Sequence, residues 1–235
     1  GGAALFLPEP DRHRPSKEGQ RSLLGQFTRA LRDDDLRGLV AVYFATSLAF
    51  SGVTVMFIPF VADVYGYAAT EAALLLTFVG VLGAVNQGVV VGRLTRRFSA
   101  PVVAFGGGAG LLVAVAALPF TPTLGGLLPP LGGPAWFTRE LVSLLAVLGL
   151  LSVGFGLLNV SLNTIVSLGV GADLQGTAFG VTQGAGSLGR TVGPPVMAAL
   201  YVFAIPWPFL AGAALVVPIL AILAGFVRAG ASATD

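Results

Sequence analysis

Polar side chains recur at helical spacing inside long apolar stretches of this sequence. One row contains Gln183, Ser187 and Arg190, and another contains Asn159 and Asn163. Steps of three or four residues place each row on one face of a helix. Amide, hydroxyl and guanidinium groups bind ligands through hydrogen bonds; a mixed Asn, Gln, Ser and Phe cavity suits amphipathic drugs, whereas the charge of Arg190 favours an organic anion. Because such groups are costly in hydrocarbon, we expect both rows to face a bundle interior or a wet cavity.

Three further residues complete the set of candidate cavity or gating residues. Ser51 lies in a row of hydroxyl residues in the first apolar stretch, and the second stretch contains Asn86 and Gln87. Two prolines, Pro194 and Pro195, follow Arg190 and cannot donate to the carbonyls four residues before them. We therefore expect a helix hinge beside Arg190. A static kink satisfied by neighbouring helices is the alternative.

The sequence lacks the groups of a catalytic or metal site. It contains no Cys and a single His, His13, in a polar connection. The tract 185–189 is one residue away from the Gly-x-Ser-x-Gly signature of serine hydrolases, but no His lies in any apolar stretch to act as the base. We therefore expect no enzyme activity, no catalytic residue, no metal site and no cofactor.

The candidate residues lie on elements long enough to cross a membrane. Hydrocarbon about 30 Å thick requires about 20 apolar helical residues. With 55% hydrophobic residues, 10% charged residues and a mean hydropathy of +0.87, the chain has too little polar surface for a soluble globule. We predict an all-α membrane protein with six transmembrane helices, at about 38–62, 70–92, 100–120, 141–167, 176–203 and 208–227.

The distribution of basic residues predicts the orientation. Of the 13 Lys and Arg residues, seven precede the first span, three follow the second (Arg93, Arg96 and Arg97), and Arg228 follows the sixth. Only Arg139 lies in a connection on the other side. By the positive-inside rule we expect a multi-pass protein of the cell (plasma) membrane with both termini cytoplasmic. The pI near 9.4 then reflects loops beside anionic lipid, so no nucleic-acid partner is expected.

The pattern also predicts the organisation of the chain. We interpret 1–7 as the tail of a preceding transmembrane helix and 8–35 as a cytoplasmic linker with an interfacial amphipathic helix at 21–32. A linker helix packed against its own membrane domain is the alternative for this segment. The six-helix bundle covers 36–228, and 229–235 forms a cytoplasmic tail.

The order of polar and plain spans predicts an internal repeat. The third and sixth spans carry no polar side chain between their ends, whereas the other four do. Two three-helix units are therefore implied, and their odd helix number makes the second unit inverted relative to the first. The best local alignment pairs 83–87 with 186–190. We expect the first, second, fourth and fifth spans to line a cavity and the third and sixth to face lipid.

Three tracts carry a resemblance to a known family. Gly92, Arg93, Arg96 and Arg97 lie in a tract that resembles the Gly-x-Leu-x-Asp-Arg loop motif of the major facilitator superfamily, with Arg96 at the acidic position. The opening Leu-Pro-Glu and basic linker resemble the end of that family's sixth helix and its central loop. The tracts 176–180 and 187–194 are similar to its eleventh helix, particularly in drug:proton antiporters.

The resemblance implies the C-terminal six-helix half of a transporter. It implies transmembrane transport of a small molecule by alternating access, of the efflux type, with the lipid bilayer and the N-terminal six-helix half of the same transporter as partners. If transport is driven by protons, the carboxylate must lie in that other half, because no Asp or Glu lies deep in these spans. A membrane scaffold or an oligomeric channel subunit is the alternative, although no span has the rings of acidic or filter residues of a pore.

The predicted topology can be tested by cysteine labelling, because the chain has no native Cys. We expect Gly126→Cys to react with an impermeant maleimide in intact cells, since basic asymmetry places 121–139 outside. Thr95→Cys, in the basic connection 93–99, should react only after permeabilisation. Labelling of Thr95→Cys but not Gly126→Cys in intact cells would reverse the assigned orientation.

Overall fold

The computed structural model describes residues 34–130, 132, 134, 136–171 and 174–232. The predicted helix tail at 1–7 and interfacial helix at 21–32 lie outside the described residues, as do most of the linker and the last three residues of the predicted tail.

Six long helices make up most of the described chain. The predicted spans agree with them to within a few residues. The bundle nevertheless exceeds its predicted bounds, because the first helix already begins at Asp34 and the last continues to Ser232. The helices are α1 (Asp34–Tyr65), α2 (Ala69–Leu94), α3 (Ala100–Gly126), α4 (Arg139–Gly169), α5 (Gln175–Phe203) and α6 (Trp207–Ser232).

Two of these helices change their winding near the end. In α2 the segment Asn86–Val91 is a π-helix, followed by one α-helical turn at Gly92–Leu94. In α3 a 3₁₀ turn at Leu118–Phe120 precedes a short α-helical piece at Thr121–Gly126. The 3₁₀ turn contains a proline, which lacks the N–H group needed to continue the α-helical ladder. The predicted regular spans are thus interrupted in both helices.

Five of the six helices are both long and apolar enough to cross a membrane, and α5 is the exception. Its 29 residues are sufficient in length, spanning about 43 Å at 1.5 Å per residue. Its composition differs from that of the other helices, because Gln183, Arg190 and many Gly, Ser and Thr residues interrupt the apolar sequence. The prediction of six membrane-crossing spans is therefore supported by composition for five helices, and for α5 it stays a prediction.

Glycines allow the two closest helix pairs, α1 with α5 and α3 with α4. A Cβ atom on Gly189 would lie 2.5 Å from the carbonyl oxygen of Phe44, and one on Gly193 equally close to that of Leu48. Between α3 and α4, a Cβ on Gly107 would lie 2.7 Å from the backbone nitrogen of Leu158. Side chains of any size are excluded at these crossings, as in other membrane helix pairs with small residues at the interface.

The remaining neighbours complete one apolar core. The helix α6 contacts both α3 and α1, and α2 contacts α4. A Cβ on Gly212 of α6 would lie 3.0 Å from Cγ2 of Val53 in α1. The largest fully buried side chains include Phe60, Leu111, Leu158, Phe209 and Leu223.

The third span, α3, is covered by neighbouring helices to a greater extent than its apolar composition predicted. Within the most apolar stretch of each helix, 44% is buried in α3, compared with 12% in α2 and 28% in α6. The outer face of α3, with Val102, Phe105 and Val113, is exposed, but its glycine face is covered by α4. Apolar composition served helix packing as well as lipid contact here. The least covered apolar helix is α2, which exposes Leu74 and Val81.

Adjacent glycines of α3 provide a matched test of this packing. Gly107→Ala should destabilise the bundle by about 1–3 kcal/mol, because its Cβ meets the α4 backbone and the two helices must separate. Gly106→Ala is the control, since no described atom lies within 4 Å of its added Cβ. Unfolding in mixed detergent micelles measures both variants. Equal destabilisation by the two would contradict the assigned α3–α4 contact.

Candidate functional site

A pocket of about 290 Å³ opens between α1, α4 and α5. It brings together three predicted residues that are distant in sequence, Ser51, Asn159 and Arg190. The remaining lining residues are Ser47, Phe50, Thr54 and Val55 of α1 and Phe155 of α4.

Arg190 provides the one charge of this pocket and lies midway along α5. Gln175 and Phe203, the ends of the helix, are each about 20 Å away along its axis. The side chain is exposed, and its Nη2 donates to Ser187 Oγ at 3.1 Å. A guanidinium carries five N–H groups, and no ion pair to Arg190 is present among the described residues. Its other side-chain donors form no hydrogen bond within the described part of the chain and can bind a ligand or another polar surface.

The backbone of Arg190 also takes part in the site. Pro194 cannot donate to the Arg190 carbonyl, and the hydroxyl of Ser51 on α1 donates to that oxygen at 3.3 Å. The predicted free acceptor therefore has a partner on the neighbouring helix. The helix α5 continues through Pro194 and Pro195 to Phe203. Ser51 thus contacts the backbone beside the charge and also lines the pocket.

An amide pair on α4 supports the opposite wall. Asn163 Nδ2 donates to the Asn159 carbonyl at 2.9 Å and approaches Asn159 Oδ1 at 3.4 Å. The hydroxyl of Tyr43 on α1 donates to Asn163 Oδ1 at 2.9 Å. Because Tyr43 is 4% exposed, this hydrogen bond lies between the two helices, away from lipid. Asn163 therefore positions Asn159 and does not itself line the pocket.

Two aromatic rings close the floor of the pocket. Phe50 of α1 and Phe155 of α4 stack with centroids 3.6 Å apart and planes inclined by 10°. An adjoining apolar cavity of about 40 Å³ shares Phe50 and Thr54 with the pocket. The site therefore combines a hydrogen-bonding wall with an aromatic floor, which suits an amphipathic molecule.

Four predicted residues besides Asn163 lie outside the pocket, and one of them, Ser187, accepts the hydrogen bond from Arg190. Asn86 is buried between α2 and α4, where its Nδ2 donates to the Val153 carbonyl at 3.1 Å, next to Gly156. It serves a helix contact, and this differs from the predicted cavity position. Gln87 and Gln183 are exposed on α2 and α5 without lining the pocket.

The predicted loop motif lies at the end of α2. Gly92 and Arg93 belong to the last turn of this helix, and Arg96 and Arg97 to the turn that follows. All four are exposed, and none lines the pocket. The motif is thus separate from the candidate site.

A polar stripe runs along α5 next to its contact with α1. We define this α5 polar stripe as Gln183, Ser187, Arg190 and Thr191 together with Gly176, Gly180 and Gly184. All members of the stripe are exposed. Added Cβ atoms on Gly176, Gly180 and Gly184 would have no described atom within 4 Å. Amide, hydroxyl and guanidinium groups facing acyl chains would lack hydrogen-bond partners. The α5 polar stripe therefore requires water or another polar surface.

Sequence patterns missed the aromatic floor and Thr54 as site residues. Phe50 and Phe155 lie in apolar helices in which aromatic residues are ordinary core residues, so neither gives a signal by itself. Thr54 lay in the recognised row of α1 hydroxyls but was not selected.

Residues 2–194 match the sequence profile of the Major Facilitator Superfamily. A search of curated proteins gives no match.

A double-mutant cycle tests the support of the pocket wall. Tyr43→Phe and Asn163→Ala each remove one partner of the same hydrogen bond, so we expect a coupling energy of about 0.5–1.5 kcal/mol in detergent unfolding. Tyr43→Phe combined with Asn86→Ala is the control, because these side chains share no hydrogen bond. Additive effects in the first pair would show that the hydrogen bond contributes nothing to stability.

Proposed function

The chain belongs to the major facilitator superfamily of membrane transporters, and we propose that it is the C-terminal half of an efflux-type carrier that moves a small molecule by alternating access. The observation that carries the proposal is the mid-helix pocket with Arg190 as its single charge. Binding near the middle of the membrane, between helices of two repeats, is the arrangement that secondary transporters use.

The α5 polar stripe supports a second bundle as the partner. The helix α5 is too polar to face lipid on its own. Its contact with α1 covers only the side that carries Gly189 and Gly193. A second six-helix bundle facing the stripe would give Gln183, Ser187 and Arg190 a water-filled cavity between the halves. The open glycine row of the stripe would permit close approach of a helix from that bundle.

Equivalent contacts support two inverted three-helix repeats. The two units, α1–α3 and α4–α6, meet through a pair of such contacts, in which Gly107 of α3 packs against Leu158 of α4 and Gly212 of α6 packs against Val53 of α1. The two glycines are separated by the same number of residues as Leu158 and Val53, so one register relates both contacts. Phe50 and Phe155 also have this separation, and they stack on each other. Residues on a pseudo-two-fold axis meet in this way.

The lining chemistry favours an amphipathic organic anion as substrate. The pocket has one guanidinium, neutral hydrogen-bonding groups from Ser51 and Asn159, and the rings of Phe50 and Phe155. No carboxylate lines it, so a proton-binding group would belong to the partner half. We place the carrier in the plasma membrane with both termini cytoplasmic, on the basis of the basic residues of its connections.

Transport by Arg190 variants tests the proposed role in the assembled carrier, reconstituted in proteoliposomes with an anionic probe such as fluorescein. Arg190→Ala should reduce saturable, gradient-driven uptake at least tenfold, since it removes the charge and the fork of donors. Arg190→Lys should retain part of the activity. Leu188→Ala, exposed on the same helix but outside the pocket, is the control and should transport normally. Normal transport by folded Arg190→Ala would reject the role of Arg190.

The chain reconstituted alone should show no saturable uptake, because half a site has no second gate. Robust uptake by the chain alone that depends on Arg190 would refute the half-carrier proposal. Passive flux in both directions that does not saturate would instead indicate a channel.

A further inference from the structure

A second cavity lies at the end of the bundle where α3 begins and α4 ends. Its volume is about 480 Å³, and it shares no lining residue with the Arg190 pocket. One wall is formed by the connection between α2 and α3, with Thr95 and Phe98, and the other by the last turns of α4, with Thr164 and Leu168. Because both helices terminate here, the cavity lies at the boundary between hydrocarbon and water.

The walls of this cavity are mainly apolar, and the cavity opens to the surface of the protein. Phe98 is 54% exposed and Leu168 is 79% exposed, and Ile165 and Pro101 continue the same surface inward. The apolar surface continues along α3 through the exposed Val102. The hydroxyl groups of Thr95, Ser99 and Thr164 lie among these apolar residues. Thr164 Oγ1 already donates to the Val160 carbonyl at 3.1 Å. An occupant that combines an apolar part with a hydrogen-bond acceptor for Ser99 therefore fits this cavity.

The connection beside the cavity has an excess of positive charge. Arg93, Arg96 and Arg97 are all exposed, and their side chains form no hydrogen bond or ion pair with another described residue. No acidic residue occurs in the sequence between Glu71 and Glu140. The charge of the connection is therefore not neutralised by its own segment or by the other residues that the structure describes.

We propose that this cavity binds an anionic phospholipid. The phosphate group lies against the guanidinium groups of the connection and the hydroxyl group of Ser99, and an acyl chain covers Phe98 and Leu168. Basic pockets between transmembrane helices are suited to anionic lipid headgroups. The apolar wall distinguishes a lipid from a free phosphate ion, since a free ion would leave Phe98 and Leu168 in water. Bound lipid would link the α2–α3 connection to the end of α4, and the site is independent of the proposed carrier function.

The purified chain in dodecyl maltoside micelles provides the test. Titration with palmitoyl-oleoyl phosphatidylglycerol should raise the Tm in a saturable way, whereas phosphatidylcholine and inorganic phosphate should not. In Arg96→Gln/Arg97→Gln, half-saturation should require about 25-fold more phosphatidylglycerol, at about fivefold for each lost charge. Arg96→Lys/Arg97→Lys should keep most of the response. These side chains are exposed, so the Tm without lipid should match that of the unmodified chain.

A second pair of variants separates a built site from diffuse attraction to basic residues. Leu168→Ser should weaken the phosphatidylglycerol response, because it removes part of the acyl-chain wall. Val202→Ser is the matched control, since Val202 is 86% exposed near the end of α5 and lines neither cavity. The proposal is overturned by an equal response to phosphatidylcholine, by equal protection from inorganic phosphate, by an unchanged response in Arg96→Gln/Arg97→Gln, or by identical behaviour of the two serine variants.

Discussion

Hydrocarbon offers no hydrogen-bond partners, and this constraint governs the position of α5 and thereby of the candidate site. Arg190 lies at the middle of α5, far from both ends of the helix, so its side chain remains at the depth of the hydrocarbon. The helix is held by its glycine side, where Gly189 and Gly193 allow contact with the α1 backbone. The α5 polar stripe lies beside this contact, so the pocket forms along the edge of the α1–α5 pair. Tight packing on one side thus provides the polar opening on the other.

The same helix pair resolves the backbone defect introduced by proline. Pro194 leaves the Arg190 carbonyl without its helical donor, and an acceptor without a partner is costly in a membrane. Ser51 supplies the hydrogen bond from α1, so the two helices are linked directly beside the charged side chain. Farther along the same two helices, Tyr201 of α5 donates to Asp63 of α1 at 2.7 Å. In the proposed carrier cycle, α1 and α5 would accordingly move as one unit.

Sequence alone was sufficient to predict the helices, because long apolar runs and basic flanks have few alternative structures. It also placed Ser51, Asn159 and Arg190 in polar rows, which avoid lipid in membrane helices, and these three residues line one pocket; their role in binding or gating stays a prediction. It failed for Asn86 because periodicity identifies a helix face but not the neighbour that covers it. Phe50 and Phe155 gave no signal, since their importance comes from meeting each other across two helices distant in sequence.

Under the proposed repeat, the position of Asn86 has a physical explanation. Between α2 and α5 the alignment has a separation two residues shorter than that between Gly107 and Gly212, and it pairs Gln87 with Arg190 and Asn86 with Gly189. Gly189 is buried against α1, so the register places Asn86 against α4, where its side chain donates to the Val153 carbonyl. Glycine permits the backbones to touch, whereas an amide at the equivalent position keeps them apart and adds a hydrogen bond. The difference between Gly189 and Asn86 at equivalent positions therefore accounts for the close α1–α5 contact and the sparser α2–α4 contact.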